Sequence, residues 1–332
     1  MEHFSDPLDR ALLDDWQRGF PVTARPFTAL AEALGTSEAG VIRRLQQKLA
    51  AGQISRVGAT LAPNTISAST LAAIAAPDHR IEEVAAIIGA EPGVNHSYLR
   101  ENDWNLWFVV TGPDRAHVAA TLERIARASR LRVLDLPLVR PFNLDLGFSL
   151  RGEPAGRPVG LPPDPSVLRA GDREIAQALT RGLPLVSRPY AKIARTLGRS
   201  MDDVLGRIRA LLAARIISRL GVIVRHRALG WRANAMVVWD LPEAEAARAG
   251  PALAAQPGIT LCYQRRPGGP DWPYRLYCMI HARSRVEALA RLEAAAALPE
   301  LAGARHLALF SSRCFKQTGA LVTEAPAQRR IA

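Results

Sequence analysis

The chain repeats itself. Residues 19–58 match residues 182–221 without a gap, at a constant offset of 163, through Arg25/Arg188, Pro26/Pro189, Phe27/Tyr190, Leu34/Leu197, Gly35/Gly198, Ser37/Ser200, Val41/Val204, Arg44/Arg207, Leu49/Leu212, Ile54/Ile217, Ser55/Ser218, Arg56/Arg219 and Gly58/Gly221. Further on the offset becomes 165, with Gly93 against Gly258. Duplicated sequence must fold into duplicated units, and 332 residues exceed what one core usually serves. Between the copies lie Pro154, Pro158, Pro162, Pro163 and Pro165, a composition that favours an extended linker.

Within the first unit, apolar spacing predicts helices over 9–18, 27–34 and 37–51, the last turning Val41, Leu45 and Leu49 inward. Gly35 ends the second helix and Ser37 caps the third. With a wing strand over 54–61 this is a winged helix-turn-helix. Strands over 67–76, 94–100, 105–111 and 131–138 and helices over 81–90 and 115–129 follow. The second copy repeats them over 231–239, 243–255, 259–265, 274–281, 285–296 and 304–310. The order βαββαβ is that of a ferredoxin-like sandwich. The fold class is therefore α+β, a tandem repeat of winged helix-turn-helix (1–62 and 171–225) and ferredoxin-like domain (63–150 and 226–332), joined by a Pro-rich linker (151–170).

A formal charge of +12 comes almost wholly from arginine, since lysine occurs only at Lys48, Lys192 and Lys316. Such a surface attracts polyanions, nucleic acid or a polycarboxylate small molecule, although an arginine-biased genome would produce the same excess. Hydrophobic residues at 48% and charged residues at 22% are ordinary for a globular chain. The longest apolar stretches, 71–76 and 294–297, are too short to span a bilayer, and the first residues carry no secretory pattern, so the expectation is a cytoplasmic protein without membrane contact. Cys262, Cys278 and Cys314 lack a paired spacing and are expected to be small buried residues, with no intrinsic metal site.

A major-groove helix should begin with groups that meet base edges and phosphates. Here it begins Glu38-Ala39-Gly40 in one copy and Met201-Asp202-Asp203 in the other, which argues against DNA although acids also suit a helix N-terminus. The sandwich domains carry more informative strings. Period-two alternation puts His96, Tyr98 and Arg100 on one face of a strand. The second copy keeps Tyr263 and Arg265 at the matching positions, then reads Trp272-Pro273-Tyr274, with Tyr277, and Met279-Ile280-His281. His226 sits in the basic turn Arg225-His226-Arg227. By residue type alone, the histidines and tyrosines could equally be hydrogen-bonded core groups, the arginines surface pairs, and Trp104, Trp107, Trp272 and Tyr277 packing.

A helix-turn-helix before a βαββαβ domain resembles the Lrp/AsnC transcription regulators. The strings above, with residues 225–236, resemble the siroheme decarboxylases, an offshoot of that fold made of two related subunits. One subunit pattern, His-x-Tyr-x-Arg then Asn-Leu-Trp-Phe, matches 96–108; the other, Tyr-x-Arg, Trp-Pro-Tyr and Met-Ile-His, matches 263–281. The fit covers residues 8–320, with departures at Ser97 and Arg275, where asparagine is commoner, and a tail after Cys314 that the resemblance does not place. It implies loss of the C12 and C18 acetate carboxylates of siroheme, giving didecarboxysiroheme on a route to haem d1 or haem, in an internal pseudo-dimer that can assemble further. The implied roles are His96 and His281 as proton donors, one in each half's site, and Tyr98, Arg100, His226, Tyr263, Arg265, Trp272 and Tyr274 as substrate-binding groups. No cofactor is required; iron belongs to the substrate and is expected on His96, His226 or His281. The alternatives are an Lrp/AsnC-type DNA-binding regulator, with or without a haem-sensing role, and a tetrapyrrole carrier.

Overall fold

The computed structural model describes residues 6–144, 147 and 161–324. Its first winged unit comprises α1 (Pro7–Asp14) with a 3-10 turn over Asp15–Gln17, α2 (Pro26–Ala33), α3 (Glu38–Ala50) and β1 (Ile54–Leu61). The Ser37 hydroxyl caps α3, accepting from the Gly40 amide at 3.1 Å, and Gly35 follows α2 at φ +62°. Val41 and Leu45 are fully buried, whereas Leu49 is 43% exposed because the last turn of α3 runs beyond the core. The second unit repeats the plan as α6 (Asp172–Arg181), α7 (Pro189–Thr196), α8 (Met201–Ala213) and β7 (Ile217–Val224). Of the predicted linker, 151–160 lie outside the described residues and Pro165–Val167 form a 3-10 turn.

The two units do not stand apart. β1 and β7 pair antiparallel with Gly58 opposite Gly221, its own repeat mate, so a pseudo-twofold axis passes through that pair. A Cβ at Gly58 would lie 2.4 Å from the Leu179 carbonyl oxygen and one at Gly221 2.2 Å from that of Gln17, so only glycine lets each wing pack against the helices. One apolar core serves both units, joining Phe27, Leu30 and Leu45 to Tyr190, Ile208 and Leu211. The repeated arginines inside the third helices are structural. Arg44 binds Asp9 on α1 at 2.8 Å, and its mate Arg207 binds the buried Asp172 on α6 at 2.7 Å.

The first sandwich runs β2 (Ala68–Ile74), α4 (Ile81–Ala90), β3 (Val94–Arg100), β4 (Leu106–Gly112), α5 (Arg115–Ser129), β5 (Val133–Leu136) and β6 (Leu138–Asn143). The second runs β8 (Ala233–Asp240), α9 (Glu243–Ala254), β9 (Ile259–Arg265), β10 (Leu276–Ala282), α10 (Arg285–Ala296) and β11 (Arg305–Gln317). The predicted strand over 131–138 is broken at Pro137, which carries no amide hydrogen, and the chain continues as β6. The strand predicted over 304–310 runs on to Gln317.

These two extensions decide the architecture. The first part of β11 pairs with β8 of its own unit, and its distal part pairs with β3 of the other unit. β6 correspondingly pairs with β9. The strand order is β5-β2-β4-β3-β11-β8-β10-β9-β6. β5 and β6 stand at the two ends of this order yet are consecutive in the chain, so the sheet curls round until its ends meet at Pro137. Its inner face holds Leu71, Trp107, Met236, Tyr263, Trp272, Tyr277, Met279 and Leu309 from both units. Helices α4 and α5 cover one outer side and α9 and α10 the other.

The chain after β11 also packs. Leu321 and Val322 are buried, and the Gln177 side chain on α6 accepts from the amides of Val322 at 2.8 Å and Thr323 at 3.2 Å. The tail thereby ties the second winged unit to the first sandwich, where the Thr111 hydroxyl accepts from the Leu321 amide at 2.8 Å.

Candidate functional site

Closure of the barrel brings side chains from both units together. On β3, His96 and Tyr98 stack with ring centroids 6.4 Å apart, and the Arg100 guanidinium lies 5.6 Å from the Tyr98 ring, so the three share a face despite a bulge between Val94 and His96. Arg100 is not a surface pair. It is only 6% exposed, donates to the Leu309 carbonyl at 3.1 Å, and reaches the Met279 sulfur at 4.0 Å. Among the described residues no carboxylate contacts it, and burial lowers its pKa to about 10. A guanidinium in that setting lacks the opposite charge that ordinarily accompanies a buried cation.

His281 lies deeper still, at 4% exposure. Its Nδ1 is 2.7 Å from the Thr260 hydroxyl and its Nε2 is 2.8 Å from the Asn234 amide nitrogen. Thr260 donates to the Met279 carbonyl, so its oxygen accepts from Nδ1–H, while Nε2 accepts from Asn234. This holds the ring neutral. Burial, with Arg100 and Arg291 nearby, lowers its pKa to about 3.

His226 stands between His281 and a cleft. The turn His226–Leu229 places its ring 5.5 Å from that of His281, and burial, His281 and Arg219 push its pKa well down. His96 falls to about 4 through burial and the neighbouring Arg56. The cleft, of about 500 Å³, is lined by His226 and Tyr98 with Arg225, Arg227 and Arg313, and none of its lining residues is acidic. Tyr98 contacts the Cys314 thiol across the β3–β11 ladder, and burial raises its pKa. Cys314 is exposed, against the expectation for all three cysteines, because it sits on the outer part of β11; Cys262 and Cys278 are buried.

The predicted residues thus divide. Tyr98 of the first unit and His226 of the second line the cleft together, with Arg100 against Tyr98, His281 behind His226 and His96 stacked on the far side of Tyr98. Tyr263, Trp272 and Tyr274 belong to the inner core beside them: Trp272 donates to the Tyr277 hydroxyl at 2.8 Å and packs 5.1 Å from Trp107, and Arg265 covers Tyr263 at 4.6 Å while donating to the Leu136 carbonyl. Their rings form the wall behind Arg100 and do not line the cleft. The histidines do not sit near their free pKa either, since desolvation and adjacent guanidinium groups both disfavour imidazolium.

Sequence reasoning missed Arg56 and Arg219 of the wing strands, which act electrostatically on His96 and His226, and Asn234 and Thr260, which hold His281. Arg56 and Arg219 carried a signal, being identical at matched positions of the two copies. Thr260 carried none. At the start of α3, Glu38 binds Arg25 at 2.5 Å and the Thr28 hydroxyl at 2.9 Å, and Asp203 of α8 binds Arg199 at 2.5 Å; both acids serve local pairs. Among the described residues no helix is long and apolar enough to cross a membrane.

The model of the AsnC-like ligand binding domain matches residues 66–143 and 228–316, and that of the siroheme decarboxylase NirDL-like HTH domain matches 9–54 and 172–217. The siroheme decarboxylase NirDL subunit of Paracoccus denitrificans is 56% identical over 324 residues, covering 97% of this chain and 99% of the relative. A crystal structure of the siroheme decarboxylase NirDL superposes with a TM-score of 0.66 at 25% identity, over 94% of this chain and 93% of that one. A second, in co-complex with an iron-uroporphyrin III analogue, gives 0.63 at 26% identity over 92% and 90%.

Proposed function

The chain belongs to the siroheme decarboxylase family, and from that premise we propose that it removes carbon dioxide from the C12 and C18 acetate side chains of siroheme, as a carboxy-lyase that forms didecarboxysiroheme. The observation that carries this reading is the buried Arg100 guanidinium, held against the Tyr98 ring and near His281 with no carboxylate of the chain in contact among the described residues. A polycarboxylate entering the cleft supplies the missing charge through paired N–H···O bonds. Arg225 and Arg227 at the cleft add further guanidinium groups.

Each reaction breaks the bond between an acetate methylene and its carboxylate. The electron pair moves into a transiently protonated pyrrole, and a proton then reaches the methylene carbon to leave a methyl group as the ring gives its own proton back, so one proton is consumed for each carbon dioxide released. The ring itself is the electron sink, so the reading needs no added cofactor, and iron enters as part of the substrate. The protein must exclude water, fix the carboxylates and deliver protons. Imidazoles neutral in the empty site gain protons as the anionic substrate arrives, because opposite charge favours imidazolium. His226 meets the substrate at the cleft, His281 passes protons through it, and His96 serves from beyond Tyr98. Both His281 ring nitrogens are engaged by Thr260 and Asn234, so His281 would have to give up a hydrogen bond to hold iron, and whichever histidine holds iron is not at the same time a proton donor.

Anaerobic incubation with siroheme, followed by mass spectrometry, tests the reading. Successive loss of one and two carbon dioxide units is expected. Binding without mass change would leave a carrier, and salt-sensitive duplex binding with neither would leave a DNA-binding regulator. His96→Ala and His281→Ala are each expected to slow turnover by roughly a hundredfold. Near-normal rates in both remove the histidines from the mechanism.

A further inference from the structure

A second cleft, of about 600 Å³, opens where β6 meets β9. Its lining includes Arg115, Arg265, Arg266 and Arg275, against one carboxylate, Glu243. It stands in partial pseudo-symmetry to the histidine-bearing cleft. Arg265 is the repeat mate of Arg100, and Asn64, at its edge, is the mate of Arg227. In both places a residue just after the wing faces the strand that crosses between units, β6 here and β11 there. The imidazoles differ. No histidine lines this cleft; Leu261 stands at the position of His96 and Pro63 at that of His226.

The arginines are not consumed by partners within the protein. Arg265 donates one N–H to the Leu136 carbonyl at 2.7 Å, and its buried Nε has no hydrogen-bond partner. Among the described residues Arg275 reaches the carbonyls of Leu241 and Pro273, at 3.5 Å each. Arg115, about half exposed, donates to the Ser69 carbonyl at 3.2 Å and meets the Asp135 carboxylate at a loose 3.5 Å. Four guanidinium groups around one open volume, with donors to spare, suit a ligand carrying several carboxylates on a rigid frame.

We propose that this cleft binds a second molecule of polycarboxylated tetrapyrrole and does not turn it over. The proposal rests on the siroheme reading for the ligand's chemistry. It divides two properties between the duplicated units: carboxylate recognition stands in both clefts, and proton delivery in one. The second cleft then holds substrate beside the reacting site, on the same closed barrel.

Equilibrium titration of the full chain with iron-uroporphyrin III, a non-substrate polycarboxylate, reads the number of molecules bound. Two per chain are expected for the unaltered protein and one for the double variant Arg266→Ala/Arg275→Ala, with the rate at saturating siroheme within twofold of normal. One molecule per chain in the unaltered protein overturns the proposal, and so do two in the double variant. Didecarboxysiroheme, with two carboxylates fewer, should fill the second cleft at least tenfold more weakly; equal or tighter filling overturns its assignment to the substrate. Failure of the enzyme reading is seen separately, as no loss of carbon dioxide whatever the stoichiometry.

Discussion

Arg100 costs stability in the empty protein. A guanidinium only 6% exposed, against a carbonyl, a thioether and the Tyr98 ring, gives up hydration without a compensating opposite charge. Arg100→Met keeps much of the volume and removes the charge. Thermal unfolding without ligand should then show a gain of roughly 1–4 kcal/mol, while affinity for iron-uroporphyrin III falls at least tenfold. Lost stability together with retained affinity would make Arg100 a packing residue. The histidines set an acid limit. His96 falls to about 4 and His281 to about 3, against 6.5 when exposed, so between those values the unfolded chain binds more protons than the folded one. Their contribution is complete above pH 6.5 and is lost as the pH falls towards 4 and then 3. Denaturant midpoints measured from pH 7 to pH 4 should decline, and His96→Gln should flatten the decline. Residue types and their placement in motifs were legible in the sequence. Their protonation was not, because desolvation depends on groups far away in the chain, such as Arg56 for His96.

At the scale of elements, the extensions of the fourth strands bind the molecule together. Periodicity located most strands and helices within a residue or two, because the 2.0 and 3.6 repeats are local properties. It missed β6 and the distal part of β11, since a strand that pairs with a distant partner carries no short-range signature of that partner. The tail beyond β11 shows the same dependence. Gln177 accepts two backbone amides from it, and loss of that side chain leaves both donors without their bond in a buried setting. Gln177→Ala should cost about 1–3 kcal/mol and make the C-terminal segment the first cut in limited proteolysis. Unchanged resistance to protease would mean that Leu321 and Val322 anchor the tail unaided.

For the whole molecule, the two units form one body with a shared helical core and a closed barrel, and the converging histidines and arginine come from both. Residues 1–150 and 171–332 produced as separate chains should each be inactive, with the edges of β3 and β9 unpaired. Mixing them should restore turnover by the same pairings. Activity in either piece alone would place a complete site within one unit. The sequence by itself determined that there are two copies, which elements each contains, that the surface favours anions, and which family the motifs resemble, because repeats, periodicity and charge are local or additive. Tertiary structure alone decided that β6 and β11 cross between units, that His226 meets His281, that Arg100 lies inside without a carboxylate, and that Trp272 and Tyr274 form a wall and not a lining. Those outcomes follow from register and burial, which are set by pairings between residues up to two hundred or so positions apart and appear only when the sheet closes.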